Sequence, residues 1–253
     1  MAQHTTGLIM AMAEEIKPLL KGIPQVARET AGPFPLYRFF QDGRQYVIIE
    51  SGIGASRALA AAGMLTECCS PDLIISIGFG GGATSGLSAG DIVIGTRFLM
   101  HSGSQLCEEA GGQPVALPAS LRNRLSLAGV SITEGAIIST GGILSKKVLS
   151  AILPDHILQA AVDMETCTVA RFTAEHGIPF LAVRCISDSR DEELGFSMDE
   201  FMDSSMKVSI GKVLLTVMRR PRIIPQLRRL SLNTRTAGKN LNLFFSLCRG
   251  GLI

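Results

Sequence analysis

The chain lacks the long apolar runs, paired cysteines and spaced histidines that define several classes of protein. None of its 253 residues falls in an apolar run of the roughly 18 residues that a membrane-spanning helix needs. Six Cys residues occur without a CxxC pair, and four His residues show no metal-ligand spacing. No charged segment precedes the first apolar run, so we expect no signal peptide. The sequence therefore predicts a cytoplasmic protein with reduced thiols and no metal site.

Acidic residues are absent from the last fifth of the chain. Residues 204–253 contain ten Lys or Arg and no Asp or Glu, which leaves 14 basic against 22 acidic residues before them. From residue 219 onward, apolar and basic clusters alternate. This segment predicts either a terminal helix packed on the domain or a segment lying on an anionic membrane surface. No aromatic residue lies among the basic ones before Phe244, which argues against a nucleic-acid partner.

What is present is typical of one globular α/β domain. Apolar residues make up 46% of the chain, and glycine is frequent, at 27 residues. Short apolar strands mostly alternate with helices, from a strand at 7–12 to a last long helix at 198–218. Asp42-Gly43 between two apolar runs predicts a hairpin. We therefore expect an α/β domain over residues 1–218 and a basic amphipathic extension over 219–253.

Three glycine-rich loops each follow an apolar strand, at 51–54, 78–82 and 139–142. Such loops let backbone N–H groups approach a ligand, and three strand ends facing one crevice would form a pocket. None matches the GxGxxG fingerprint with its later acidic residue. A nicotinamide-dependent oxidoreductase is therefore disfavoured.

Three carboxylates occur in segments that otherwise read as buried. Asp163 and Glu165 flank a Met in an apolar run, and Asp188 ends the apolar strand that follows Pro179. Each could be an ordinary helix cap or loop residue. A buried carboxylate is costly without a partner or ligand, however, and α/β folds bind ligands at strand ends. Together the three predict a binding site.

Four sequence blocks resemble the nucleoside phosphorylase and nucleosidase superfamily, and most of all its methylthioadenosine/S-adenosylhomocysteine nucleosidase branch. The resemblance covers roughly residues 7–215. It implies a three-layer fold with a mixed central sheet flanked by helices, and a homo-oligomer. The blocks are Gly7-Leu-Ile-Met-Ala-Met-Ala-Glu-Glu-Ile16, Ser51-Gly-Ile-Gly54, Ser76-Ile-Gly-Phe-Gly-Gly81 with Gly90-Asp-Ile-Val93, and Ala161-Val-Asp-Met-Glu165 with Val183-Arg-Cys-Ile-Ser-Asp188.

The resemblance implies a role for each residue at the base end of a purine nucleoside. Asp188 would protonate or hydrogen-bond the purine N7, and Ser187 would orient Asp188. The backbone near Leu144 would contact the base edge, and Ile143 stands where an aromatic residue often stacks on the base. Cleavage of an N-glycosidic bond develops negative charge on the base, so a carboxylic acid there suits the reaction.

The sugar end receives the remaining carboxylates. Met164 would lie against the ribose and Glu165 would bind its hydroxyls, with Asp163 beside them, one methylene shorter than the Glu common there. Glu15 would activate water. Positive charge develops on the sugar as the bond breaks, and a carboxylate stabilises it.

The identity of the nucleophile stays open at this stage. Glu15 favours water, whereas Gly54 and Arg57 could bind phosphate as a co-substrate, although Arg57 could equally be a solvated helix residue. Phe79, beside Gly80, replaces a small hydroxyl residue that usually helps to hold phosphate or water. The resemblance implies no metal or redox cofactor in either case.

The apolar replacements and the basic extension together resemble the hopanoid-associated phosphorylase branch. That resemblance implies removal of adenine from adenosylhopane, a lipid-linked nucleoside, at the inner face of the membrane. Two alternatives stand beside it. One is a methylthioadenosine/S-adenosylhomocysteine nucleosidase, and the other is a catalytically silent protein that binds nucleosides or docks on membranes.

Overall fold

The structure is a computed structural model that describes residues 4–103, 105–142, 144, 146–190, 216 and 220–249. The strands in this part of the chain are β1 (Thr5–Met10), β2 (Ala27–Ala31), β3 (Phe34–Gln41), β4 (Arg44–Glu50), β5 (Leu73–Gly82), β6 (Ile92–Ser102), β7 (Gln105–Glu109), β8 (Ile132–Ser139), β9 (Ala160–Asp163) and β10 (Phe180–Asp188). The helices are α1 (Ala13–Leu20), α2 (Ala55–Cys69), α3 (Ala119–Leu127), α4 (Lys146–Ile152), α5 (Thr166–Glu175) and α6 (Ile224–Cys248).

These strands form one mixed sheet, in the order β10-β6-β8-β9-β5-β1-β4-β3-β2, with β7 paired to β6. Because β10 also pairs with β5, the strands β10, β6, β8, β9 and β5 close into a ring. β1, β5 and β10 run parallel, so their carboxyl ends lie at the same edge of the sheet. The predicted α/β fold with a mixed sheet flanked by helices is confirmed.

The central strands are buried because helices cover both faces of the sheet. In β5, Leu73, Ile75 and Ile77 pack on the side of α1 and α6, whereas Ile74 packs on the side of α2 and α5. Such strands read as continuous apolar runs, which is why sequence alone detects them. The predicted hairpin is confirmed: Asp42 and Gly43 both have positive φ, at 51° and 76°, between β3 and β4.

Several elements differ from the expectations drawn from the sequence. The polar stretch at 101–118 is predicted as an insertion or lid, but its first half is a hairpin formed by the end of β6 and by β7. β9 is a separate strand that precedes α5, in a run that the sequence presents as leading directly into a helix. Its four residues are too few to show a strand period. The helix predicted at 198–218 lies almost entirely outside the described residues.

The C-terminal helix α6 is one continuous helix of 25 residues that packs on the body of the domain. Pro225 does not interrupt it, because Pro225 lies in the first turn, where a missing N–H leaves no hydrogen bond unmade. Leu241, Phe244 and Phe245 are buried in the main core cluster. Tyr46 of β4 lies edge-on to Phe245, with ring centroids 5.6 Å apart. The predicted packing of a terminal helix is thus confirmed for residues 224–248.

The basic segment contains no bilayer-crossing helix within the ranges that the structure describes. Asn240 fixes α6 from a second direction, because its side-chain amide donates to the Gly90 carbonyl at 2.8 Å. Gly238 lies against α1, so closely that a Cβ atom there would be 3.4 Å from Cγ of Pro18. α6 therefore packs against two other parts of the domain, the segment around Gly90 and helix α1.

The Phe244→Ala substitution should strongly destabilise the whole domain. Phe244 is 1% exposed, so its removal leaves a cavity as well as losing apolar burial. We expect the free energy of unfolding to fall by about 4 kcal/mol, measured by urea unfolding. Ser246→Ala, on the exposed side of the same helix, is the matched control and should change it by less than about 0.5 kcal/mol. Equal small effects from both variants would contradict the packing of α6.

Candidate active site

An acidic site lies at the sheet edge where β1, β5 and β10 end. Glu15 follows β1, Glu165 follows β9, and Asp188 ends β10. Asp188 pairs with Gly81 of β5, two residues beyond Phe79, whose N–H binds Glu15. That separation along the strand is roughly 7 Å.

Glu15 is held at the start of α1 by three backbone donors. Its Oε1 accepts the Phe79 N–H at 2.7 Å, and its Oε2 accepts the N–H groups of Ala11 and Met12 at 3.0 Å each. Gly78 makes this approach possible, since a Cβ there would lie 2.6 Å from Oε1. Burial raises the pKa of Glu15 above its usual value, against the opposing effect of these donors. The carboxyl group is thus buried, fixed and close to the strand ends.

Glu165 is held by the glycine turn that follows β4. The Gly54 N–H donates to Glu165 Oε1 at 2.6 Å, with Gly54 at a φ of 105° that favours glycine. Burial raises the pKa of Glu165 to about 7, and the neighbouring charges of Asp163 and Glu15 contribute to that rise. Glu165 and Glu15 are therefore close enough to influence each other electrostatically.

A buried ion pair joins β9 to β10, close to these carboxylates. Arg184 Nε donates to Asp163 Oδ2 at 2.8 Å, and both side chains are almost fully buried, at 4% and 2% exposure. The same guanidinium donates to the carbonyl and hydroxyl oxygens of Ser76 in β5. Ser139 of β8 donates to Asp163 Oδ1 at 2.6 Å, and the Thr166 N–H and hydroxyl groups also donate to Asp163.

Asp163 therefore has a different environment from the one expected of a substrate ligand. Both of its oxygens accept hydrogen bonds from within the protein. Its neighbour Met164 is partly buried, between Asp163 and Glu165. Asp163 pairs with Arg184 and accepts hydrogen bonds from Thr166 in the turn after Glu165, and its predicted contact with the sugar stays a prediction.

Ser187 and Asp188 lie at an irregularity in β10. The pairing with β5 shifts between Ile186 and Asp188, which marks a bulge at Ser187. Bulges redirect side chains at strand ends. The Ser187 hydroxyl lies 2.8 Å from Asp188 Oδ1 and 3.3 Å from the Gly80 carbonyl oxygen. This geometry agrees with the predicted orientation of Asp188 by Ser187.

Two predicted site residues are directed elsewhere. The ring of Phe79 packs on the core cluster and faces α6, where its Cζ would be 3.8 Å from a Cβ on Gly238. Its contribution to the site is the backbone N–H to Glu15. Arg57 is exposed, donates through Nε to the Ser51 carbonyl at 2.8 Å, and lies over the Phe34 ring. Arg57 thus matches the solvated-helix alternative.

The remaining predictions concern the loop after β8. Leu144 is partly buried there, and Ile143 lies outside the described residues. Among the described residues, no group of three or more His, Cys, Asp or Glu is placed to hold a metal ion. The predicted homo-oligomer and the predicted independence from metals and redox cofactors stay predictions.

Arg184 is the functional residue that the analysis of the sequence missed. It stands in an otherwise apolar strand, Phe180-Leu-Ala-Val-Arg-Cys-Ile186, where a charge requires a buried partner. That requirement is a usable signal, although it does not identify the partner. Asp163 lies 21 residues earlier in the chain, and only the pairing of β5 with both β9 and β10 brings the two together.

Comparison with known proteins places this fold and site among nucleoside-cleaving enzymes. A family model described as the phosphorylase superfamily matches residues 5–219. The 5′-methylthioadenosine/S-adenosylhomocysteine nucleosidase of Actinobacillus succinogenes is 30% identical over 220 residues, covering 82% of this chain and 96% of that protein.

Solved structures share the fold at lower identity. The nucleosidase of the same name from Neisseria meningitidis, in complex with methylthio-immucillin-A, superposes with a TM-score of 0.66 at 24% identity, over 95% of this chain and 97% of that one. A futalosine hydrolase of Helicobacter pylori superposes with a TM-score of 0.60 at 18% identity, over 74% and 89%.

The fold, the acidic sheet edge and these relatives together define an enzyme that acts on the N-glycosyl bond of purine nucleosides. The chain belongs to the phosphorylase superfamily. The resemblance drawn from the four sequence blocks is confirmed for the superfamily and for its methylthioadenosine/S-adenosylhomocysteine nucleosidase-like branch.

The Glu165→Gln substitution should remove a pH-dependent loss of stability. The pKa of Glu165 rises from 4.5 to about 7 on folding, so the folded protein holds an extra proton between those values. The stability from this group is fully present below the unfolded pKa and is lost as pH rises through the folded pKa. From about pH 5 to about pH 8, we expect the wild type to lose on the order of 2 kcal/mol relative to Glu165→Gln in denaturant unfolding.

Glu67→Gln is the matched control for this experiment, since Glu67 is exposed on α2, far along the chain from the site. It should leave the wild-type dependence of stability on pH unchanged. A Glu165→Gln profile parallel to that of the wild type would contradict the raised pKa of the buried Glu165 carboxyl group.

Proposed function

We propose that this enzyme hydrolyses the N-glycosidic bond of an adenine nucleoside that carries a bulky apolar group at the 5′ position, with adenosylhopane of hopanoid biosynthesis as the substrate. The observation that carries the proposal is the arrangement of Asp188, Glu165 and Glu15 at one sheet edge. Three carboxyl groups there match the three demands of the reaction: a proton donor for the base, a partner for the sugar and a base for the nucleophile.

Asp188 acts at the purine in this proposal. In its protonated form, its carboxyl group donates to N7, so the electron pair of the breaking C–N bond is accepted by the base. Ser187 holds Asp188 Oδ1 at 2.8 Å, which limits the rotation of the carboxyl group. The bulge in β10 supports this role because it lets both side chains reach the same edge.

Glu165 and Glu15 act at the sugar. Glu165 accepts hydrogen bonds from the ribose hydroxyl groups while Gly54 fixes its other oxygen. Glu15, once ionised, takes a proton from the attacking water, and its negative charge also stabilises the cationic sugar. The backbone N–H groups that bind Glu15 hold its carboxylate in place. Because these donors carry no net charge, the carboxylate keeps its negative charge.

Water is favoured over phosphate as the nucleophile. Two buried carboxyl groups, Glu15 and Glu165, occupy the sugar side, where a phosphate dianion would be repelled. The cation considered as a phosphate ligand, Arg57, is engaged by the Ser51 carbonyl. Arg184 is buried against Asp163. These contacts support hydrolysis that yields adenine and the 5′-substituted pentose with a hydroxyl group at C1′.

The lipid-linked substrate is supported by the chain's own sequence rather than by its relatives. Ile143 is apolar where an aromatic residue often stacks on the base, and a basic helix lies at the C-terminal end of the described chain. The second candidate substrate class is methylthioadenosine or S-adenosylhomocysteine. It is favoured by the nucleosidase of Actinobacillus succinogenes, which is named for both compounds.

The Asp188→Asn substitution should abolish most of the activity while keeping the fold. An amide cannot donate a proton to N7, so we expect adenine release to fall by about 10²- to 10⁴-fold. The release is followed by chromatography, and thermal unfolding is measured in parallel. Asp155→Asn, at an exposed position before β9, is the control and should retain wild-type activity. Full activity of Asp188→Asn would rule out the assigned role.

A substrate panel with and without phosphate tests the reaction itself. We expect adenine release from adenosylhopane with a kcat/KM at least about tenfold above that for methylthioadenosine, in line with burial of extra apolar surface. Phosphate should not accelerate the reaction, and the sugar product should be the 5′-substituted pentose with a free hydroxyl group at C1′. A pentose 1-phosphate would instead identify a phosphorylase. Tight nucleoside binding without any release would favour a catalytically silent protein.

A further inference from the structure

The outer face of α6 carries a row of positive charges. Residues 220–249 contain seven Lys or Arg and no Asp or Glu. Arg228, Arg235 and Lys239 are exposed. In the described ranges, no ion pair joins any of these three side chains to another residue. A helix face of this kind attracts anionic partners.

These cations share a narrow stripe with two exposed apolar side chains. At 3.6 residues per turn, the five side chains fall within an arc of about 80° and span roughly 22 Å of the helix. Ile224 is 49% exposed and Leu232 is 51% exposed. We call this set the outer stripe; in angular order it consists of Ile224, Arg235, Arg228, Lys239 and Leu232. It lies roughly opposite the buried face that contains Leu241 and Phe244.

We propose that the outer stripe is a docking surface for an anionic lipid bilayer. A helix lying in the plane of the interface inserts its apolar side chains at the boundary of headgroups and acyl chains while its cations contact the phosphates. The outer stripe offers both features at once. Ile224 and Leu232 flank the cations. A shallow insertion of this one face would therefore bury both apolar side chains and bring all three cations into contact with lipid phosphates.

The chemistry of the outer stripe distinguishes a bilayer from other anionic partners. A single-stranded nucleic acid uses aromatic side chains for base stacking, and the outer stripe contains none. A bilayer surface needs only cations and aliphatic side chains, arranged along one helix. All five side chains of the outer stripe belong to α6, and their attraction to a bilayer does not depend on the proposed substrate.

Docking through the outer stripe would bring the catalytic helix close to the bilayer. α6 packs on α1 through Gly238 and Pro18, and α1 carries Glu15. At 3.6 residues per turn, Gly238 falls about 40° outside the outer stripe on the Ile224 side, so α1 lies beside α6. Packed helices are separated by about 8–10 Å between their axes. Docking would therefore place α1 within about one helix spacing of the docked helix.

The test compares two charge-reversal triples of the full chain. Arg228→Glu, Arg235→Glu and Lys239→Glu together should weaken binding to vesicles of phosphatidylcholine with about one-third phosphatidylglycerol by at least about 100-fold, since each cation contributes about fivefold. The control triple changes the same number of exposed cations elsewhere, namely Lys21→Glu, Arg28→Glu and Arg124→Glu. It should change binding by less than about threefold in sedimentation. Equal losses in both triples would show an effect of net charge and overturn the proposal.

A second variant separates a bilayer from a generic polyanion. Ile224→Ser with Leu232→Ser should weaken vesicle binding by about tenfold and leave heparin binding unchanged, because only a bilayer accepts the apolar side chains. Unchanged vesicle binding would overturn the proposal. Thermal unfolding checks that every variant is folded. No substrate is present in these measurements, so failure of docking and failure of the proposed hydrolysis are observed separately.

Discussion

The buried ion pair between Arg184 and Asp163 is the interaction on which the site depends. It joins β10 to β9, and the same guanidinium holds Ser76 of β5. Two buried charges are costly to desolvate, and the loss of one partner would leave the other unpaired at a cost of about 3–5 kcal/mol. Asp163 lies two residues before Glu165 and Arg184 four residues before Asp188. The pair therefore fixes the relative positions of the strand ends that carry Glu165 and Asp188.

The same arrangement explains why the carboxyl groups of the site are not equivalent. Asp163 takes the direct hydrogen bond from Arg184. Glu165 receives only the longer-range effect of that cation, while burial and the charge of Asp163 raise its pKa to about 7. One buried arginine thus cannot compensate a cluster of acids equally. The electrostatic environments of the carboxyl groups therefore differ by position, and such differences are what allow an acid and a base to act in one reaction.

Local patterns were sufficient to predict the longer apolar strands, the hairpin at Asp42-Gly43 and the carboxyl groups of the site, because each is encoded by neighbouring residues. The short strands β2, β7 and β9 were not predicted. The internal partner of Asp163 could not be predicted, since it depends on which strands pair in the sheet. The ring of Phe79 illustrates the same limit. Its position in the sequence indicates the site, but alternation along β5 directs the side chain toward α6 and only the backbone toward Glu15.

α6 shows why composition and packing must be read together. Its charge suggests a detachable basic tail, yet Phe244 and Phe245 are core residues and Gly238 contacts the helix that carries Glu15. Removal of the helix would expose the core and could not isolate a surface function. The two faces of α6 are thus under different constraints. The residues of the inner face are fixed by packing in the core, whereas those of the outer face can change without loss of the fold and can serve to bind a partner. Because α6 packs directly on α1, a bilayer bound at the outer stripe would also fix the orientation of Glu15 and of the site around it.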